Sequence, residues 1–155
     1  MRRSLMLAVG LVGLLALAPK AWAYDCDALV ARMRQAVPAV QAEPPLESSP
    51  GVLRVNMKHP AASHRSVMCV EDYAALSIDW VRSATPPDAY WQLVGELGAI
   101  VADAPAGVVG KGARACQAQA LLSPNELAQM TFQGIRFVCQ AYRRDGGTAI
   151  TLARH

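Results

Sequence analysis

Net charge is the first thing this sequence lacks. Of its fifteen Lys and Arg residues, Arg2, Arg3 and Lys20 lie in the first 23 positions, while all twelve Asp and Glu lie beyond them. The rest of the chain therefore balances twelve cations against twelve carboxylates. Nucleic-acid binders and polybasic membrane-surface proteins depend on a positive field, so both classes are disfavoured, and no nucleic-acid partner is expected. No CxxC occurs, nor any closely paired thiols at zinc-finger spacing, which removes a thioredoxin-like redox site and a structural zinc site. GxSxG and HExxH are missing as well. Gly107, Gly110 and Gly112 fit neither GxGxxG nor a P-loop, and they follow a helical pattern where a phosphate loop should follow a strand. Histidine is scarce, with only His59, His64 and His155 to serve any imidazole mechanism. Past residue 23 no apolar run reaches the ~20 residues of a membrane-spanning helix.

What is present starts with an export signal. Arg2 and Arg3 precede an apolar run over residues 5–18, Pro19 breaks it, and Ala21-Trp22-Ala23 puts small residues where a signal peptidase reads. The spacing predicts a cleavable peptide at residues 1–23, cut after Ala23. A lipidated N-terminus is not expected, because Cys26 follows Ala23-Tyr24-Asp25 and not a small-residue lipobox. A single domain, residues 24–155, remains, with no integral membrane segment after cleavage.

All four cysteines, Cys26, Cys69, Cys116 and Cys139, lie in that domain, and an even count in an oxidising compartment reads as two disulfides. Among the three pairings, Cys26 with Cys69 and Cys116 with Cys139 close the shortest loops and cost least chain entropy. On the loop-entropy account each bond would stabilise the fold by roughly 3 to 4 kcal/mol.

Along the chain, Asp25 caps a helix over 26–37, with Cys26, Leu29, Val30, Met33 and Val37 at helical spacing. Residues 38–51, rich in Pro, Glu and Ser, read as an extended loop. Residues 52–57 alternate like a strand, 58–66 read as a loop, and 67–70 as a short strand carrying Cys69. Residues 73–83 fit strand or helix, with the balance toward strand. Thr85 followed by Pro86, Pro87 and Asp88 opens a helix over 86–103, in which Tyr90, Leu93, Val94, Leu97, Ile100 and Val101 line one face. Trp91, Gly95, Gly98 and Ala102 form a second stripe, small enough to admit another backbone. Gly107, Gly110 and Gly112 then suggest a loop, 114–121 a strand, and Ser123-Pro124-Asn125-Glu126 a capping box opening a short helix toward Met130.

Near the C-terminus two strand-like runs flank Asp145-Gly146, the dipeptide preferred in a two-residue type I′ hairpin. That loop pairs Ala141 with Ile150 and Cys139 with Leu152. Phe137, Cys139, Ala141, Ile150 and Leu152 then share an apolar face, opposite Arg136, Gln140, Thr151 and Ala153. Each half of the domain runs helix then strands, a loose likeness to a duplication. The order predicts an α+β domain with antiparallel strands, including a C-terminal hairpin, packed on two main helices.

No residue pattern names a reaction. Glu71, Asp72 and Asp79 are close in sequence and could flank a glycosidic bond. Met57, His59, His64 and Met68 form a ligand set suited to copper(I), against the plainer reading of core methionines and solvated histidines. Within the loop at 58–66, His59, His64 and Arg65 have no evident structural duty, and loops on a rigid scaffold are the usual carriers of recognition. The leading expectation is a periplasmic or secreted, non-enzymatic protein-binding module, such as an envelope accessory factor or an inhibitor or immunity protein, that needs no cofactor. A small periplasmic hydrolase working through carboxylates or His64 is the alternative, and a copper-handling protein the second. N-terminal sequencing of the exported protein should begin at Tyr24; an intact Met1 would contradict the signal reading.

Overall fold

A computed structural model describes residues 25–83 and 85–154, so the expected signal peptide at residues 1–23 lies outside the described residues. Helix α1 (Cys26–Ala36) starts as its cap predicts, the Ala28 N–H donating to the Asp25 carboxylate at 2.9 Å. Its Cys26, Leu29 and Met33 are buried. The segment expected as a loop at 38–51 holds two short strands, β1 (Gln41–Ala42) and β2 (Leu46–Ser49), both antiparallel to β3 (Val52–Lys58). Every residue of β2 is exposed, so no burial alternation marks it in the sequence.

The expected loop at 58–66 is also shorter. Lys58 closes β3, and β4 (His64–Cys69) begins six residues later in register with β5 (Ala74–Trp80), which confirms the strand at 73–83. The early part of β4 carries polar residues on both faces, which hides the strand from an apolar pattern.

Helix α2 (Asp88–Ala102) follows as expected, although it starts from Pro87 without a side-chain cap and Thr85 does not cap it. The next segment overturns the expectation of a loop and a strand carrying Cys116: residues 106–122 are one helix, α3 (Ala106–Leu122). Three glycines cost a helix roughly 1 kcal/mol each relative to alanine, and packing offsets that cost here. A Cβ on Gly112 would lie 2.6 Å from the Phe137 ring. On α2, a Cβ on Gly98 would lie 2.6 Å from Val109 and 2.8 Å from Leu152, and one on Gly95 3.0 Å from the Ala106 carbonyl oxygen. The small stripe of α2 thus admits the backbone of α3.

Ser123 ends α3, and the expected short helix toward Met130 is instead strand β6 (Leu127–Phe132), entered through Glu126 at φ 60°. Strands β7 (Ile135–Ala141) and β8 (Thr148–Ala153) complete the chain. The two-residue loop joins β6 to β7 at Gln133-Gly134, both at positive φ as a type I′ turn requires. The β7–β8 hairpin pairs Ala141 with Thr148 and Cys139 with Ile150, two residues off the expected register. Arg143 explains the longer loop: its side chain donates to Glu126 at 3.1 Å and to the Ser123 carbonyl at 2.9 Å, tying residues 142–147 to the end of α3. Gly147, at φ 121°, presses against the Trp80 carbonyl and leaves no room for a side chain. A slip of two preserves side-chain parity, so Phe137, Cys139, Ala141, Ile150 and Leu152 remain together and buried.

The eight strands form one antiparallel sheet in the order β1-β3-β4-β5-β8-β7-β6, with β2 also on β3. Its core face carries Val67, Leu76, Ile78, Phe137 and Leu152 beneath the helices. Both disulfides are closed as the loop argument predicts, Cys26–Cys69 from α1 to β4 and Cys116–Cys139 from α3 to β7. The fold is α+β, with the hairpin packed on two helices.

Glycine substitutions in α3 should separate packing from propensity. Gly107 and Gly110 face open space, so Gly107→Ala and Gly110→Ala should each raise stability by roughly 0.5–1 kcal/mol in urea unfolding. Gly112→Ala should lower it by about 1–3 kcal/mol through overpacking.

Candidate functional site

Alternation along the strands that bury one face leaves polar side chains on the other. Arg54 and Asn56 of β3, His64 and Ser66 of β4, and Ser77 and Asp79 of β5 line a cleft of about 440 Å³ there. At its rim Lys58 pairs with Glu43 at 3.0 Å and holds that carboxyl below the usual carboxylate range. In its floor His64 lies directly opposite Asp79 in the β4–β5 register. Burial raises the Asp79 carboxyl above its ordinary value, opposed by nearby His64, a hydrogen bond from Ser77, and Arg54. Thr151 of β8 extends the polar floor, its hydroxyl donating to the Ser77 hydroxyl at 3.3 Å.

A second, smaller cleft of about 280 Å³ lies at the turn between β3 and β4, lined by Lys58, His59, Ser63, Arg65 and Arg82. The Ala61 N–H donates to His59 Nδ1 at 3.1 Å. Burial, then the Arg65 charge, lowers the His59 pKa against the opposing pull of Glu96, so the ring is held neutral. Arg82 stacks 5.5 Å from the Trp80 ring and donates to the Pro60 carbonyl at 3.2 Å.

The candidate residues are divided by this geometry. His64 is exposed at the start of β4 and lines the larger cleft; Arg65, its neighbour in the strand, is buried at 8% exposure and borders both clefts. His59 sits in the turn and shares the smaller cleft with Arg65, while His64 lines the larger cleft. The copper set is split in the same way. Met57 is buried in the core while Met68 and His64 alternate onto the opposite face, so the four side chains do not converge. Among the described residues no group of three or more His, Cys, Asp or Glu could hold a metal ion. Glu71 and Asp72 lie in the turn before β5, at the far end of that strand from Asp79, so the three carboxylates are not brought together.

Sequence reasoning passed over Arg54, Ser77 and Arg82. The available signal was the polar set of the period-two alternation in β3 and β5, read there only for its apolar half. It also passed over the sheet edge. Among the described residues strand β6 pairs with β7 alone; it contains no charged residue and begins with Leu127, which is exposed together with Leu121 and Leu122 at the end of α3.

No protein-family model, curated protein or solved structure matches this chain. Two disulfides fit an oxidising, exported compartment. Among the described residues no single helix is long and apolar enough to cross a membrane.

Because the folded state holds Asp79 above its unfolded pKa, it binds the proton more tightly than the unfolded chain does. The contribution of this group is therefore fully present below the ordinary carboxylate pKa and is lost as pH rises through the raised value. Asp79→Asn should remove that pH dependence and raise the neutral-pH unfolding midpoint relative to wild type. A variant whose stability falls in parallel with wild type over the acidic range would contradict the assignment.

Proposed function

We propose that this chain is an exported, non-enzymatic binding module whose partner is another envelope or secreted protein, docked by strand addition at β6. The observation that carries the reading is the edge itself: six uncharged residues, beginning at the exposed Leu127, paired on one side only among the described residues and preceded by the exposed Leu121 and Leu122. Exposed edges are ordinarily blunted with lysine, proline or a bulge, because bare backbone N–H and C=O groups recruit other strands. Here nothing of that kind interrupts 127–132. Strand addition draws affinity from such groups and specificity from side chains at alternate positions, which Leu127, Gln129 and Thr131 supply. The basic N-terminus, the small-residue cleavage site and the closed disulfides support export.

A small hydrolase is the second reading, favoured by one observation: the raised Asp79 carboxyl faces His64 in a polar cleft, an arrangement that can pass a proton. Asp79→Asn discriminates, since a hydrolase would lose turnover while an edge-docking protein would keep its partner.

The edge reading is tested with a photo-crosslinking residue at Gln129 in cells that export the protein. Discrete protein adducts should form there and not from a probe at Arg32 on α1. Thr131→Lys should reduce adduct yield at least tenfold while moving the thermal midpoint by no more than about 2 °C. Equal labelling from both probes, or adducts that survive Thr131→Lys, would overturn the proposal.

A further inference from the structure

The smaller cleft holds a cation without a counter-ion. Arg65 is 8% exposed, and its Nη1 donates to the Ala62 carbonyl at 2.6 Å. Its Nε is sealed from solvent with no acceptor, and none of the ion pairs among the described residues includes Arg65. A buried charge in that condition is costly, and native proteins ordinarily pair it. The neighbouring charges make the imbalance larger. Arg82, on the same wall, repels it. The Glu43 carboxylate across the rim is engaged by Lys58, and His59 carries no negative charge, so neither compensates the two arginines. Glu96 approaches His59 from α2 but forms no ion pair with either arginine among the described residues.

The remaining lining suits an anion. His59 accepts a backbone hydrogen bond at Nδ1, which leaves Nε2 as its N–H donor, and the Ser63 hydroxyl lines the same cleft. Two guanidinium groups, an imidazole N–H and a hydroxyl supply donors along a wall completed by Ala39, Gln41, Pro60 and Ala62. The volume, about 280 Å³, admits a small ligand and no folded partner.

We infer that the cleft between the β3–β4 turn and Arg82 is a binding site for a small oxyanion, a phosphate or carboxylate group, with Arg65 supplying the buried charge and Arg82 closing over the ligand from the exposed side. Planar guanidinium forks match both groups and form the stronger, charge-assisted class of hydrogen bond. The site stands apart from the β6 edge, at the other end of the sheet order, and does not depend on the edge reading.

Inorganic phosphate and acetate are the probes, titrated into the disulfide-bonded mature protein by calorimetry at constant ionic strength, with chloride as the reference. Saturable binding of at least one probe below roughly 10 mM is expected, accompanied by a rise in the unfolding midpoint. Comparing the two arms shows whether the tetrahedral or the planar oxyanion is preferred. Arg82→Gln, at an exposed position, should weaken binding about tenfold, the loss of one charge-assisted bond. Arg136→Gln, on β7 at the end of the strand away from Trp80, should leave binding unchanged. Arg65→Met should abolish binding, and because that variant removes a buried charge, its folding is checked independently by circular dichroism. The inference is overturned if neither anion binds saturably, or if Arg82→Gln and Arg136→Gln weaken binding equally.

Discussion

Everything in the sheet depends on the seam between β5 and β8. Six residue pairs, from Ala75 opposite Ala153 to Trp80 opposite Thr148, join the meander β3–β4–β5 to the meander β6–β7–β8. Leu76 and Leu152 face one another within it, both essentially inaccessible to solvent. Neither disulfide crosses this line: Cys26–Cys69 ties α1 to the first meander, and Cys116–Cys139 ties α3 to the second. Covalent bonds therefore stabilise each half separately, and the halves are held together by strand pairing and by α2. That helix touches β5 and β8 and lies between α1 and α3. Its closeness to the seam is set by Gly98, where a methyl group would collide with Leu152. Tyr90 fixes the other end by donating its hydroxyl to the Ile78 carbonyl at 2.9 Å, and burial, then the nearby Asp79 charge, pushes its phenol pKa up.

Reading outward from the seam, the strand order is the same in both directions, with a cysteine-bearing middle strand on each side. The departures from that symmetry coincide with the surfaces that carry a functional reading. On the β3 side, β1 and β2 cover the outer strand, and Glu43, Arg54 and Lys58 supply charge around two clefts. On the β6 side no further strand is added, and the outer strand carries no charge. The helices differ too: Cys26 is the first residue of α1, whereas Cys116 lies well inside α3. This lets α3 extend over β6 and β7 and support the bare edge from behind.

Where local chemistry and tertiary packing agree, the fold is legible in the sequence. Asp25 and the apolar spacing of α1, the alternation of β3, the two stripes of α2 and the shortest-loop disulfides are of this kind. The faces of the last hairpin are also legible, because parity survives a register slip of two even though the loop length does not. The missed β2 and the missed start of β4 left no apolar pattern to read, while other misreadings come from a local signal outweighed by a contact distant in sequence. The glycines of α3 suggest a loop until the rings of Phe132 and Phe137 are seen to occupy the space where the Cβ of Gly112 would be. Asp145-Gly146 is a strong turn signal, but Arg143 is tied to Glu126 and Gly147 must meet Trp80, so the loop closes further out. Of the site residues, His64 and Asp79 were each noted for their chemistry, but only the register makes them opposite neighbours. Arg65 gave no sign that it is buried, since in a strand its side is fixed by one residue of register that the polar flanks leave undetermined.

The bare edge and the uncompensated arginine are both places where the chain departs from what folding alone would select. An uncharged edge strand invites aggregation, and a single lysine at Thr131 would suppress it at little cost to stability. A buried guanidinium without a carboxylate is destabilising, and an apolar residue of similar size would remove the problem. Neither change would disturb the seam, the disulfides or the glycine contacts on which the fold depends. Such departures at positions the scaffold does not need are what support the two proposed contacts. Here the two positions fall at opposite ends of the sheet order, where a peptide strand and a small anion could be held without competing for the same groups.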